Sequence, residues 1–233
     1  MFRLLRAHPE LRRVFLAHTI SRAGDAFNTV ALVVLVFNLT GSGLGVAGAV
    51  MFEGVPVLIL GPVAGLAADR LPRRRLMVGA DVFRCVAALG LVVVTDAVGV
   101  AYAVAFALSA GAVLQPRRRV ALPDVIGEHD VVEANTAMWT TAVVSQIALA
   151  PLAGLLISRF GVGVAFAFNA ATFAASALLL VGLHAGRTPA DPAVRGWAGA
   201  LDGIRTVRSN PLLARLAVVQ VLAAMSAGAT SGL

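Results

Sequence analysis

Arg22, Asp25, Glu53, Asp81 and Arg84 are ionisable residues set inside long apolar stretches of a 233-residue chain. In a hydrocarbon setting each costs about 2.5–3.5 kcal/mol on insertion scales, so each needs a partner or a task. Arg22 and Asp25 stand three apart, on one face of a helix, and can pair. Asp81 and Arg84 repeat that spacing. Glu53 has no basic residue near it in sequence. A carboxylate in a partly dry cavity can load and release a proton, which makes Asp25 and Glu53 candidates for proton coupling. Arg22 is placed to tune Asp25 or to contact an anionic substrate. Asn28 shares their face and is the best pocket candidate. A purely structural role, tying helices together, is the alternative for Arg22–Asp25, and it is the favoured reading of the Asp81–Arg84 ion pair.

The elements that must carry these residues are membrane spans. The chain is 59% hydrophobic and 13% charged, with a mean hydropathy of +0.87, whereas soluble domains run to about a quarter charged. Such an excess has to be solvated by lipid. Runs of about 20 apolar residues are expected to span at 14–39, 44–66, 76–95, 100–114, 134–157 and 162–183, and a seventh starts at Pro211. The expected fold class is therefore all-α: a polytopic membrane helix bundle of six transmembrane helices plus the start of a seventh. Residues 1–184 form the bundle in this reading. Residues 185–210 form a cytoplasmic linker with an amphipathic piece, and 211–233 a truncated seventh helix. The basic N-terminus is read as leading into a retained first helix. Gly61 and Gly65 point to close helix packing, Pro56 and Pro151 to bends, and Met138 and Trp139 to the membrane interface.

All 19 basic residues are arginines, and most lie in clusters between the apolar runs. The N-terminal tail, the segment after span two, the segment after span four and the stretch after span six carry them, while the opposite loops hold only Arg159. On the positive-inside rule the N-terminus is cytoplasmic and six spans return the chain to that side. The net charge of +7 therefore reflects topology; aromatics are not interleaved with the arginines as a nucleic-acid reader requires. One cysteine, Cys85, leaves no disulfide framework and no Cys/His metal spacing. There is no His-Glu-x-x-His, Gly-x-Ser-x-Gly or phosphate-binding Gly-x-x-x-x-Gly-Lys pattern, which argues against an enzyme and implies no cofactor.

Between spans two and three, Gly65, Asp69, Arg70, Arg73, Arg74 and Arg75 stand in the sequence Gly-Leu-Ala-Ala-Asp-Arg-Leu-Pro-Arg-Arg-Arg. It resembles the signature loop of the major facilitator superfamily, Gly-x-x-x-Asp-Arg-x-Gly-Arg-Arg/Lys, with Pro72 in place of the second glycine. Ser21–Asp25, Gln115–Asp124 and Ala150–Gly154 are similar to stretches of its drug- and siderophore-exporter branch. Pro151 and Gly154 match a helix-bend motif of antiporters in which Ala150 replaces a glycine. The resemblance implies a proton-coupled exporter of small amphipathic molecules in the plasma membrane, working by alternating access. Such transporters have two six-helix halves, so this chain supplies the N-terminal half, and a missing C-terminal half or partner chain would complete the path. It also implies that Asp69 and the neighbouring arginines form a cytoplasmic gating latch. The alternative is a truncated, non-transporting half that needs a partner chain.

Overall fold

The computed structural model describes residues 5–6, 8–115 and 128–183, with isolated positions at 209–211, 215 and 219. The only regular structure among them is helix: α1 Pro9–Thr40, α2 Gly43–Arg70, α3 Arg73–Val93, α4 Val98–Leu114, α5 Glu128–Phe160 and α6 Val162–Val181. Five helices are long and apolar enough to cross a membrane. The sixth, α4, has 17 residues and lies at the lower limit for a span. The segment Pro116–Asp124 lies outside the described residues, as do the expected linker and seventh span apart from 209–211, 215 and 219.

Local chemistry sets the breaks. Pro9 opens α1, where its missing N–H is no loss. Gly41 ends it with a left-handed φ of 61°, its N–H donating to the Phe37 carbonyl at 2.7 Å. The Ser42 hydroxyl then accepts the Leu44 N–H at 3.2 Å and caps α2. Pro72 cannot continue α2, so the turn between α2 and α3 is only Leu71 and Pro72. The sequence places a looser loop there; in the structure Gly65, Asp69 and Arg70 belong to the last turns of α2 and Arg73, Arg74 and Arg75 to the first turn of α3.

Helices in lipid associate through close packing more than through the hydrophobic effect, which favours small residues at contacts. Ala17, Ala31, Ala101, Ala105, Ala153 and Ala165 are all fully buried. α1 packs chiefly on α6 and α5, α3 on α6 and α4, and α2 on α4. The main core gathers Phe27, Leu32, Leu35, Leu91, Phe166 and Phe173, and a second cluster unites Leu11, Val14, Met77, Met138, Leu180 and Leu183. That second cluster joins the early turns of α1, α3 and α5 to the end of α6, and Arg13 donates to the Gly182 carbonyl at the same end. The beginning of α1 and the end of α6 therefore lie at one end of the bundle. About half of the spanning window is buried in α6 (50%) and α1 (44%), against 12% in α2 and 11% in α5. The inner pair forms the spine, and the outer pair presents apolar faces such as Met51, Val57, Ile147 and Leu152.

Gly24 marks the tightest part of that spine. A Cβ there would overlap the Thr172 hydroxyl and come within 3.0 Å of the Thr172 Cβ on α6. We predict that Gly24→Val forces α1 off α6 at a cost of about 1–3 kcal/mol. The midpoint of thermal unfolding in detergent reads this directly, and an unchanged midpoint would show that the seam has slack.

Candidate functional site: a charged cavity between the helices

A cavity of about 730 Å³ opens among α1, α2, α3, α4 and α5. His18, Arg22, Asp25 and Thr29 border it from α1, at spacings of four, three and four that keep them on one helical face, and Asn28 lies beside them. Glu53 enters from α2, Arg84 from α3, Ser109 from α4, Gln115 from the residue that ends α4, and Trp139, Val143 and Gln146 from α5. α6 lines none of it but supports residues that do.

Asp25 is the centre of the charge arrangement. Arg84 Nη2 donates to its Oδ1 at 2.7 Å, and Arg22 Nη1 to its Oδ2 at 3.4 Å. The two arginines differ in setting: the Arg84 side chain is 8% exposed and that of Arg22 48%. Arg84 also lies 4.0 Å over the Phe173 ring of α6, a cation–π contact. Gly111 on α4 leaves room for its stem, since a Cβ there would stand 3.1 Å from Arg84 Cδ.

The structure revises the expected Asp81–Arg84 pair. Arg84 reaches across to Asp25 on α1. Asp81, with no exposed surface, accepts hydrogen bonds from the Ser176 hydroxyl of α6 at 2.6 Å and from the Gln115 side chain. Arg84's guanidinium faces the gap between helices, where Asp25 stands, while donors on α6 and α4 satisfy the buried Asp81 carboxylate.

Glu53 is positioned through its backbone and its neighbours. Ser109 donates to its carbonyl at 2.5 Å, Tyr102 donates to the Gly45 carbonyl at 2.8 Å, and the Phe52 and Tyr102 rings stack at 5.1 Å. These contacts fix α2 on α4. Among the described residues the Glu53 carboxylate itself makes no hydrogen bond or ion pair. With Glu53 ionised, the charges of Arg22, Arg84, Asp25 and Glu53 cancel; a proton on Glu53 leaves the cavity positive. Among the described residues no group of three or more His, Cys, Asp or Glu is placed to hold a metal. Such a site can bind a small molecule and exchange a proton.

Arg22, Asp25, Asn28 and Glu53, singled out from sequence, thus share one cavity. Arg84 joins them, and Gln115, Ser109 and His18 are additions. Their signal was present but faint: apart from Tyr102, Ser109 is the one hydroxyl in α4, and Leu108, Ala112 and Gln115 continue its face. Trp139, read as interfacial, borders the cavity with 65% exposure, and Met138 is buried in the second core cluster. Pro151 lies inside α5 and Gly154 one turn on, away from the cavity lining. Arg74 and Arg75 are exposed at the start of α3.

A bundle of apolar helices around a charged cavity is an arrangement for passage, and residues 14–233 match the Major Facilitator Superfamily. The chain belongs to the major facilitator superfamily. It is 26% identical over 217 residues to the uncharacterized MFS-type transporter YfiS of Bacillus subtilis (strain 168), covering 90% of this chain and 52% of that protein. It is 31% identical to the multidrug efflux pump Tap of Mycolicibacterium fortuitum, covering 92% of this chain and 56% of Tap. The enterobactin exporter EntS of Escherichia coli O1:K1 / APEC is 25% identical, with 96% of this chain and 55% of EntS covered. The chain thus spans about half the length of the curated relatives it matches. The crystal structure of the POT family transporter PepTSo superposes with a TM-score of 0.71 at 15% identity, over 79% of this chain and 39% of that one, a likeness of fold alone. As a superfamily member the chain is a membrane protein of a transporter family, not an enzyme.

Proposed function

We propose that the chain forms the cavity-bearing half of a proton-coupled exporter of small amphipathic molecules, lying in the plasma membrane with its N-terminus cytoplasmic. The observation that carries this reading is the 730 Å³ cavity among apolar helices, bordered by two carboxylates and two guanidinium groups. Intramembrane charges are retained where a pathway uses them. The names of Tap and EntS, an efflux pump and an exporter, support the direction and the class of cargo. Transport would proceed by alternating access, this bundle rocking against a second one around the cavity. The orientation rests on the sequence: counted across alternating spans, the arginine clusters fall on the side of the N-terminus, which the positive-inside rule makes the cytoplasm.

The test is flux across proteoliposomes holding the full chain, with a fluorescent amphipathic dye and an imposed pH gradient. Gradient-driven dye movement that a protonophore abolishes is the expected result. Movement indifferent to the gradient would remove the coupling.

A second unit is part of this reading, and the little-covered apolar faces of α2 and α5 on either side of the cavity favour it. It is supplied by the same chain or by a partner. By resemblance, Gly65, Asp69, Arg70, Arg73, Arg74 and Arg75 gate the cytoplasmic side. We predict that Asp69→Asn lowers flux at least several-fold while membrane insertion, read by surface labelling, stays at the wild-type level. Normal flux in that variant would leave the arginines with topology as their whole task.

A further inference from the structure

Most polar groups at the cavity are already paired within the protein. Asp25 holds two arginines, and Gln115 is bonded to Asp81. Among the lining polar side chains that are not exposed, two make no hydrogen bond or ion pair among the described residues. One is the Glu53 carboxylate. The other is Asn28, which borders the cavity with 6% exposure and whose Oδ1 is sealed from water without a hydrogen-bond partner. An acceptor left bare in so dry a place costs free energy until a donor arrives. Neither end of the Asn28 carboxamide is bonded among the described residues, so turning its last bond breaks no hydrogen bond; it presents the oxygen to the cavity and moves the NH2 group into the sealed position.

Carboxylate and amide oxygen are both acceptors, and one is an anion. A ligand that satisfies both carries a positive charge and N–H donors together. We propose that Asn28 is a specificity-determining residue: with Glu53 it takes up the N–H groups of a protonated amine on an amphipathic substrate, and so separates N–H-bearing ammonium ions from quaternary ones. This rests on the reading of the cavity as the substrate site. A quaternary ammonium has the charge that Glu53 attracts but no donor for Asn28, whose oxygen then stays bare in the complex. The apolar body of either ligand has the same surfaces to lie on, Trp139 and Val143, which are 65% and 42% exposed. The two ligand types therefore differ in the N–H groups they offer, and Asn28 adds its hydrogen bond to that of Glu53 for the amine only.

The test is equilibrium binding to the full chain in lipid nanodiscs. The ligands are a primary amine bearing a fluorescent aromatic body, at a pH where it is protonated and offers three N–H groups, its N,N,N-trimethylated quaternary analogue, and a carboxylate of the same body. Wild type is expected to bind the protonated amine about tenfold or more tighter than the quaternary ion, the scale of one hydrogen bond to a charged group. Asn28→Leu, of similar volume, should narrow that ratio about tenfold by weakening the amine alone; Asn28→Ala serves the same arm if the leucine variant does not insert. Asn28→Asp keeps acceptors only and should retain the preference. Equal affinities in wild type, tightest binding of the carboxylate, or equal weakening of both cations by Asn28→Leu would each overturn the assignment. Wild type binding none of the three would instead remove the cavity as the substrate site, and the wider reading with it.

Discussion

Arg84→Met is expected to destabilise the bundle far more than Arg22→Met. Arg84 is nearly enclosed, bonds Asp25 at 2.7 Å and covers the Phe173 ring. Its loss leaves the Asp25 carboxylate, 24% exposed, with a single long contact to Arg22, a cost below the roughly 3–5 kcal/mol of breaking a fully buried pair but well above that of a surface pair. Arg22 bonds the same carboxylate at 3.4 Å with half its side chain exposed, a setting in which ion pairs contribute less than about 1 kcal/mol. Thermal unfolding midpoints of the two variants in one detergent make the comparison, and equal shifts would refute the asymmetry. Arg84→Lys should fall between them. It keeps the charge but loses the planar group that stacks on Phe173 while bonding Asp25.

Glu53→Gln is the second large expected effect. The amide keeps the shape and the Ser109 contact, which uses the backbone carbonyl, and removes the proton-binding group. Gradient-driven accumulation of dye should fall to the level seen without a gradient, while downhill exchange of the dye persists. Because the carboxylate has no internal partner among the described residues, the substitution breaks no ion pair and the unfolding midpoint should hold. A wild-type pH profile in the variant would remove Glu53 as the coupling site and leave Asp25→Asn as the next substitution to measure.

The six helices were legible because span length and apolar run length are the same quantity: lipid enforces about 20 residues between polar turns. The helix ends were less so. α5 runs from Glu128 to Phe160, beyond the apolar stretch that announced it, since a backbone already hydrogen-bonded continues past the point where lipid demands it. The grouping of Arg22, Asp25 and Asn28 was legible because three-residue spacing is local geometry. Arg84 was not. Its spacing to Asp81 invited a pair on one helix, whereas the actual choice depends on Gly111, Phe173 and Ser176, which lie on two other helices. The place of Trp139 at the cavity was not legible for a related reason: an amphipathic ring suits the membrane interface and a wet cavity equally. Asn28 could be placed on the right face, but its unpaired oxygen is a fact of packing that no spacing encodes.

The junction at Gly161 limits how this molecule can move. α5 ends at Phe160 and α6 begins at Val162, and the one residue between them holds a φ of 81°, open to glycine far more readily than to other residues. A connection this short has no slack, so α5 cannot slide along its neighbour as a piston would. Anchored at Phe160, it can only swing, and the sweep grows with distance from that pivot. Trp139, Val143 and Gln146 sit 14 to 21 positions up the lever, so a few degrees of tilt at the fulcrum become ångströms of opening at the cavity wall.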